Sequence, residues 1–255
     1  MKTLIIAGRE IRSFFVSPTA YIVLAGFLLL GGWFFFGLLS RFNALLALYA
    51  GLKSEAAGSL NLNEHVLAPL LHNLSIILLI LSPMITMRAF PEEKKSGTYE
   101  LLLTSPLSAG QIVLGKFLGC LFFLWVMVLL TAPYPAMLLV YGNPEAGVLV
   151  SGYLGLGLLG TVFVSVGLFT SSLTDNQIVA AATSFVILLF LYVLSWPAEL
   201  ASPPLREALR YLSLLERFNE MVKGILDSRD LLYFLSLIAF SLFLTHRSVA
   251  SYRWK

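Results

Sequence analysis

Residues 66–87 form the apolar run VLAPLLHNLSIILLILSPMITM, and residues 88–116 follow it as the polar segment RAFPEEKKSGTYELLLTSPLSAGQIVLGK. A run of about 20 apolar residues is long enough for a helix that crosses the hydrocarbon core of a membrane. The polar segment that follows carries charges and a Ser-Gly turn signal, and a second long apolar run begins at Phe117. The pattern predicts two membrane spans joined by a short polar segment.

The composition of the whole chain agrees with a membrane protein. Of its 255 residues, 58% are hydrophobic and 12% are charged, which is too apolar for a soluble domain of this length. The single Cys120 excludes an intrachain disulfide framework and a cysteine metal cluster, so no metal site is predicted. We identify six long apolar runs and predict one all-α transmembrane domain over residues 1–255, with spans at 20–39, 66–87, 117–140, 148–171, 178–196 and 231–245.

The distribution of Lys and Arg predicts the orientation of the chain in the membrane. In a six-span protein, the residues before span one, after span two and after span six lie on the same side. These flanks carry Lys2, Arg9, Arg12, Arg88, Lys94, Lys95, Arg247, Arg253 and Lys255. Because cytoplasmic loops carry the excess of Lys and Arg, both termini are predicted to be cytoplasmic.

Further local signals lie in and between the spans. Residues 2–17 mix apolar and charged positions and predict an N-terminal amphipathic interfacial helix. Residues 203–225 follow a Ser-Pro start signal and have apolar residues at three- and four-residue spacing, so they predict one outer amphipathic helix between spans five and six. Asp227 or Ser228 is the predicted cap of span six. Pro133 and Pro135 predict a kink or a re-entrant break in span three.

Ionisable groups are rare in the predicted spans. The spans contain only His72, with Arg88 and Lys116 at their boundaries, and no buried carboxylate is expected. Ion-coupled carriers keep charged groups or unwound binding elements near the middle of the membrane, so this class of transporter is disfavoured. A lone intramembrane histidine more often faces the helix bundle than serves transport.

Two patterns resemble nucleotide-binding motifs but lack their structural context. Residues 110–117, GQIVLGKF, match the phosphate-loop spacing except that Phe117 replaces the hydroxyl residue that would hold magnesium, and no strand precedes them. Residues 155–160, GLGLLG, lie in span four, where glycines permit close helix packing. With no nucleophile motif, zinc motif or carboxylate pair, the chain is not expected to be an enzyme or to bind a cofactor itself.

The polar segment after span two has the properties of a docking element. Pro91 begins it, the charges of residues 92–95 are expected to keep it in water, and Ser96-Gly97 forms a turn that favours a positive φ. Residues 100–103, ELLL, give it one apolar edge, which faces the membrane surface or another protein. The alternative is a solvated surface loop, because runs of charge are usually only solvated.

The stretch PEEKKSGTYELLLTSPLSAGQIVLGKFLG (91–119) resembles the segment after the second span in ABC-2 type exporter permeases. The resemblance covers the chain: REIRSFFVSPTAYIV (9–23) resembles the start of span one, SSLTDNQIVAA (171–181) the turn between spans four and five, and SLIAFSLFLTHRSVASYRW (236–254) the tail. The chain is most similar to the gliding-motility branch, which is related to the permease of the nitrous oxide reductase maturation system.

The resemblance implies a function and a set of partners. The chain would be the permease subunit of an ATP-binding cassette exporter in the bacterial inner membrane, paired with a second permease subunit that is the same or a similar chain. Two cytoplasmic ATPase subunits would bind ATP and Mg²⁺, held by a coupling helix between spans two and three. The predicted contact residues are Glu92, Glu93, Gly97, Thr98, Glu100, Leu101 and Asp175. For the turn at Asp175, capping of span five is the alternative.

The residues that would line a pathway are apolar, Gly and aromatic. They fit hydrophobic cargo, and they fit equally a non-transporting transducer that relays ATPase motion to a periplasmic partner through the outer helix. In either case the lipid bilayer and an ATPase are partners. A periplasmic auxiliary protein is a further candidate partner, and no nucleic acid is expected to bind.

The predicted orientation can be tested by cysteine labelling in intact cells. A cysteine introduced at Ser54, in the loop after span one, should react with a membrane-impermeant reagent from outside. A cysteine at Ser96, in the polar segment, should react only after the membrane is opened. The reverse pattern would place the polar segment outside the cell and would contradict its assignment as a docking element.

Overall fold

In the computed structural model, the described residues are 2–51, 61–99, 107–142, 144–200 and 202–252, with only the backbone described at 199 and 200. Every regular element among them is helical, which confirms the all-α prediction. The helices are α1 (Lys2–Val16), α2 (Pro18–Gly51), α3 (Ala68–Thr86), α4 (Pro91–Lys95), α5 (Ala109–Leu129), α6 (Pro133–Tyr141), α7 (Ala146–Leu173), α8 (Gln177–Val193), α9 (Pro203–Leu212), α10 (Leu214–Val222) and α11 (Ser228–Ser251). A π-helical turn, Asn63–Leu67, precedes α3, and a 3₁₀ turn, Trp196–Leu200, follows α8.

Within the described residues, six helical stretches are long and apolar enough to cross a membrane, as predicted. They are Pro18–Gly51, Asn63–Lys95, Ala109–Tyr141, Ala146–Leu173, Gln177–Ala198 and Ser228–Ser251. Each contains one predicted span and extends beyond it at both ends. The second, third and fourth stretches are the most buried, so they form the centre of the bundle.

Helix α7 lies at this centre, and its glycines let neighbouring helices approach closely. A Cβ added at Gly160 would lie 2.7 Å from Leu124 of α5, and one at Gly155 would lie 2.9 Å from Met221 of α10. Both distances are shorter than side chains tolerate without a shift. The interpretation of residues 155–160 as a packing surface, not a dinucleotide fingerprint, is therefore confirmed.

Span three is broken where the two prolines predict it. Helix α5 ends at Leu129, and α6 begins at Pro133, the position in a helix where a missing N–H is tolerated. Thr131, between the two helices, donates a hydrogen bond from its hydroxyl to the carbonyl of Val128, 2.6 Å away. A carbonyl group in the last turn of α5 therefore has a hydrogen-bond donor at the break itself.

The prediction of one outer helix over residues 203–225 is wrong, because the structure has two helices there. Ser213 has an extended backbone (φ −73°, ψ 124°), and its hydroxyl accepts a hydrogen bond from the Glu216 N–H. This break lets α10 turn its apolar face inward, so that Leu214, Phe218, Met221 and Val222 are buried, whereas no residue of α9 is buried. His72 lies edge-on against Phe218, with ring centroids 5.5 Å apart.

The start of α11 corrects a second expectation, that no carboxylate would be buried in the spans. The side chain of Asp227 accepts a hydrogen bond from the Arg229 N–H, as its predicted role as a cap requires. The helix therefore begins earlier than the predicted span and includes Asp230, whose side chain is 3% exposed. Arg217 of α10 pairs with it at 2.7 Å. A carboxylate is favourable in the first turn of a helix because of the helix dipole.

Candidate docking site

The N-terminal helix α1 packs closely on the first half of α5. A Cβ at Gly115 would lie 2.6 Å from the Cβ of Ile6, and one at Gly119 would lie 2.5 Å from the Cβ of Glu10. These two glycines therefore form a small-residue face, four residues apart, that admits α1 against α5. The close approach puts Glu10 beside Lys116, which lies between the two glycines.

Lys116 is the centre of a buried ion cluster. Its side chain is 1% exposed, and its ammonium group lies 2.7 Å from a carboxylate oxygen of Glu10 and 3.0 Å from one of Glu93. Arg9 also pairs with Glu93. We call Arg9, Glu10, Glu93 and Lys116 the Lys116 cluster. The cluster connects α1, α4 and α5. Because the site is poorly solvated, separating these charges would cost a large free energy.

Lys94, the next residue after Glu93, connects α4 to other helices. Its ammonium group donates hydrogen bonds to the Ser172 carbonyl (2.9 Å) and to the Tyr252 hydroxyl (3.0 Å). It also lies 3.0 Å from Asp175 and 4.3 Å from the centre of the Tyr252 ring. Lys94 thus connects α4 to the end of α7, to the turn before α8 and to the end of α11.

The side chains of Glu93 and Lys94 contact different helices because of helix geometry. Successive residues of a helix point about 100° apart, so Glu93 and Lys94 face different neighbours. Phe90, just before α4, is fully buried, and its ring lies 5.3 Å from the Lys116 ammonium group and 6.5 Å from the Tyr99 ring. Helix α4 is therefore anchored by Glu93 and Lys94, which contact different helices, and by the buried Phe90 that precedes it.

The expectation that residues 92–95 are all kept in water is wrong for two of them. Glu93 is 14% exposed and Lys94 is 5% exposed, because each pairs with charges on other helices. Glu92 and Lys95 are exposed, as predicted. Glu93 and Lys94 therefore hold the segment to the helix bundle, whereas Glu92 and Lys95 remain in contact with solvent.

The turn after α4 is built as the sequence predicts. Gly97 has φ +70°, a conformation that side-chain-bearing residues rarely adopt. The Ser96 hydroxyl lies 2.8 Å from the Thr98 hydroxyl and donates to the Glu93 carbonyl at 3.2 Å. Ser96, Gly97 and Thr98 are all exposed. The turn therefore presents a fixed, polar backbone loop on the outside of the anchored helix.

The structure brings most of the predicted contact residues together. Glu92, Glu93, Gly97 and Thr98 lie within α4 and its turn, and Asp175 is joined to them through Lys94. Glu100 and Leu101 lie outside the described residues. The predicted cap of span five is also present, made by Asn176, whose side chain accepts from the Ile178 N–H at 3.0 Å. Asp175 is therefore left for the contact with Lys94.

Sequence reasoning missed the cluster that positions this site. The sequence pattern places Arg9 and Glu10 in an interfacial helix and Lys116 at a membrane boundary, and it gives no sign that the three side chains meet. One signal was present: a lysine between two glycines at the start of a long apolar helix must find a carboxylate if the glycines admit another helix there. The sequence does not specify which carboxylates these are, because they lie far from Lys116 along the chain.

Residues 4–250 match the family described as ABC-2 family transporter protein. The chain belongs to this family. A comparison with curated proteins gives no match. As a member of the family, the chain is a multi-pass membrane permease component of an ABC transporter, and membership implies association with an ABC ATPase and with a bilayer. Permeases of the family are generally not catalytic themselves.

The Lys116 cluster predicts a large effect on stability. Lys116→Gln should lower the free energy of unfolding by about 3 kcal/mol, because it leaves the largely buried carboxylates of Glu10 and Glu93 with only Arg9, which is 54% exposed, as a cation. Lys95→Gln is the matched control, since Lys95 is exposed in the same segment and should change stability by less than about 0.5 kcal/mol. Unfolding by sodium dodecyl sulfate in mixed micelles measures both variants. Equal stability of the two would contradict the anchoring role of Lys116.

Proposed function

We propose that this permease couples ATP hydrolysis by a separate cytoplasmic ABC ATPase to transport across the bacterial inner membrane, and that α4 with its turn is the docking element. The proposal rests on one observation: some residues of this segment are anchored to the helix bundle and others are exposed. Phe90, Glu93 and Lys94 anchor it to the helix bundle, while Glu92, Gly97 and Thr98 are exposed. A solvated loop has no need of such anchoring.

The anchoring supplies a physical route for coupling. A force applied to the exposed turn acts on a short helix that is joined to α1 and α5 by the Lys116 cluster, and to α7 and α11 by Lys94. Packed helices move as rigid bodies and do not deform continuously. A displacement of the turn by the ATPase would therefore move several spans together.

In this proposal the residues predicted as contacts have two roles. Glu92, Gly97 and Thr98 face the ATPase directly, and Glu100 and Leu101 are further contact candidates by resemblance to the family. Glu93 and Asp175 act as positioning residues, because Glu93 pairs with Lys116 and Asp175 pairs with Lys94. Asp175, whose side chain is 69% exposed, is also accessible to a partner.

The assembly proposed has two permease subunits and two ATPase subunits, because one chain offers one such segment and paired ATPases require two. Both termini are cytoplasmic in this arrangement, with α4 on the same side. The assignment to the gliding-motility branch, related to the nitrous oxide reductase maturation permease, remains part of the proposal. It rests on the sequence resemblance of residues 9–23, 91–119, 171–181 and 236–254.

A second candidate function is a transducer that relays ATPase motion to a periplasmic partner. Helix α9 favours it, since none of its residues is buried and it exposes Leu205, Tyr211 and Leu212. The next helix, α10, packs on α7, so motion of the spans would reach α9 directly. In this case, truncation of the α9 apolar face would abolish function while ATP turnover remains.

Docking can be tested with variants of the exposed turn. Gly97→Pro cannot adopt φ +70°, since proline fixes φ near −65°. Glu92→Lys and Glu100→Lys reverse charges on the proposed contact surface, and loss of a desolvated pair across an interface costs on the order of 2 to 5 kcal/mol. We expect each variant to lose most of the co-purified ATPase and its turnover, with the permease itself still folded.

Glu145→Lys, an exposed charge reversal at the other end of the spans, is the control and should retain the complex. The measurements are co-purification with the co-expressed ABC ATPase and ATP turnover in proteoliposomes. Normal assembly and turnover for all three turn variants would show that the segment is only a solvated connector.

A further inference from the structure

A cavity of about 290 Å³ lies between α1, the first turns of α2, the end of α3 and the residues leading into α4. Its inner wall is apolar: Ala20, Val23, Ile85 and Ala89 are buried there. Phe14 and Phe123 close one side, stacked with their ring centroids 5.0 Å apart. The cavity is therefore a preformed apolar slot at the junction of the N-terminal helix and two spans.

The rim of this cavity is polar and carries both signs of charge. Arg88 lines it and donates a hydrogen bond to the Ser17 hydroxyl at 3.1 Å, and the Thr19 hydroxyl lies 2.6 Å from that of Ser17. Glu92, which is exposed, lines another part of the rim. A guanidinium has five N–H donors in a fork that matches phosphate oxygens. One hydrogen bond to Ser17 leaves this fork largely available.

We propose that this cavity binds one phospholipid with an ethanolamine headgroup, from the leaflet that borders α1. The phosphate is held by Arg88 with the hydroxyls of Ser17 and Thr19, and the ammonium group by Glu92. The first part of an acyl chain occupies the slot beside Phe123. Glu92 also borders the proposed docking surface. The test below uses the permease alone, so its outcome does not depend on the docking of an ATPase.

The position of the cavity favours a lipid over a soluble phosphate compound. The chain passes from α1 into span one at Ser17–Pro18, so this level of the structure is the boundary between water and hydrocarbon. Val16 and Met84, at the mouth, are exposed apolar residues. A free phosphate would use only the rim and leave the apolar wall without a partner, whereas a phospholipid matches both parts.

The charges of the rim favour ethanolamine over a headgroup that is only anionic. Two carboxylates line the cavity, Glu10 and Glu92. Glu10 is occupied by its pair with Lys116, at 2.7 Å. Glu92 therefore remains as an acceptor for an ammonium group and repels a headgroup that carries only a negative charge. Arg88 alone would not distinguish the two classes of lipid.

The site can be tested by native mass spectrometry of the full chain, delipidated in detergent and then given equimolar phosphatidylethanolamine and phosphatidylglycerol of the same acyl chains. The wild-type protein should retain about one phosphatidylethanolamine in preference to phosphatidylglycerol. Arg88→Gln should lower this occupancy about tenfold, the effect expected for loss of charge-assisted hydrogen bonds to phosphate. Glu92→Gln should remove the preference between the two lipids.

Arg12→Gln is the matched control, because Arg12 is exposed on α1 and does not line the cavity. It should bind lipid like the wild type. If Arg88→Gln does not fold, Thr19→Val and Glu92→Gln, at exposed positions, test the same rim. Equal occupancy in the wild type and in all rim variants would overturn the proposal, as would displacement of the lipid by glycerophosphoethanolamine or inorganic phosphate at equal concentration.

Discussion

The buried ammonium group of Lys116 is the constraint on which the arrangement of α1, α4 and α5 depends. A cation that is 1% exposed is stable only with carboxylates in contact, and Glu10 and Glu93 supply them at 2.7 and 3.0 Å. Neither carboxylate is near Lys116 in sequence. Satisfying this one charge therefore requires α1 to lie on α5 and α4 to fold back on both, which fixes the position of the exposed turn.

This arrangement does not need to maximise stability to be useful. Buried ion pairs are often no more stabilising than apolar residues of the same size, but an incomplete pair is strongly unfavourable. The Lys116 cluster therefore favours one position of α4 over others, and the contacts of Lys94 with Ser172, Asp175 and Tyr252 restrict α4 from the other side. If α4 docks the ATPase as we propose, a single defined position of this helix would pass the displacement of the ATPase directly to the spans.

The sequence predicts those features that are local or that follow from the membrane. Span number, the break before Pro133, the cap at Asp227 and the positive φ of Gly97 depend on nearby residues or on hydrocarbon thickness, and each is observed. The features that it misses depend on contacts distant in sequence. The outer helix divides at Ser213 because Phe218 packs into the bundle, and Asp230 is buried because Arg217 reaches it. Glu93 faces inward because Lys116 of α5 and Arg9 of α1 pair with it.

We infer that charges on other helices, not the membrane surface, hold α4 in place. Hydrogen–deuterium exchange of the detergent-solubilised protein tests it directly at the amides of Lys94 and Ser96, which donate to the carbonyls of Phe90 and Glu92 at 3.0 Å. We expect Lys116→Gln and Lys94→Met each to speed exchange at these amides at least about tenfold relative to the wild type and to Lys95→Gln. Exchange that is the same in all four proteins would contradict it.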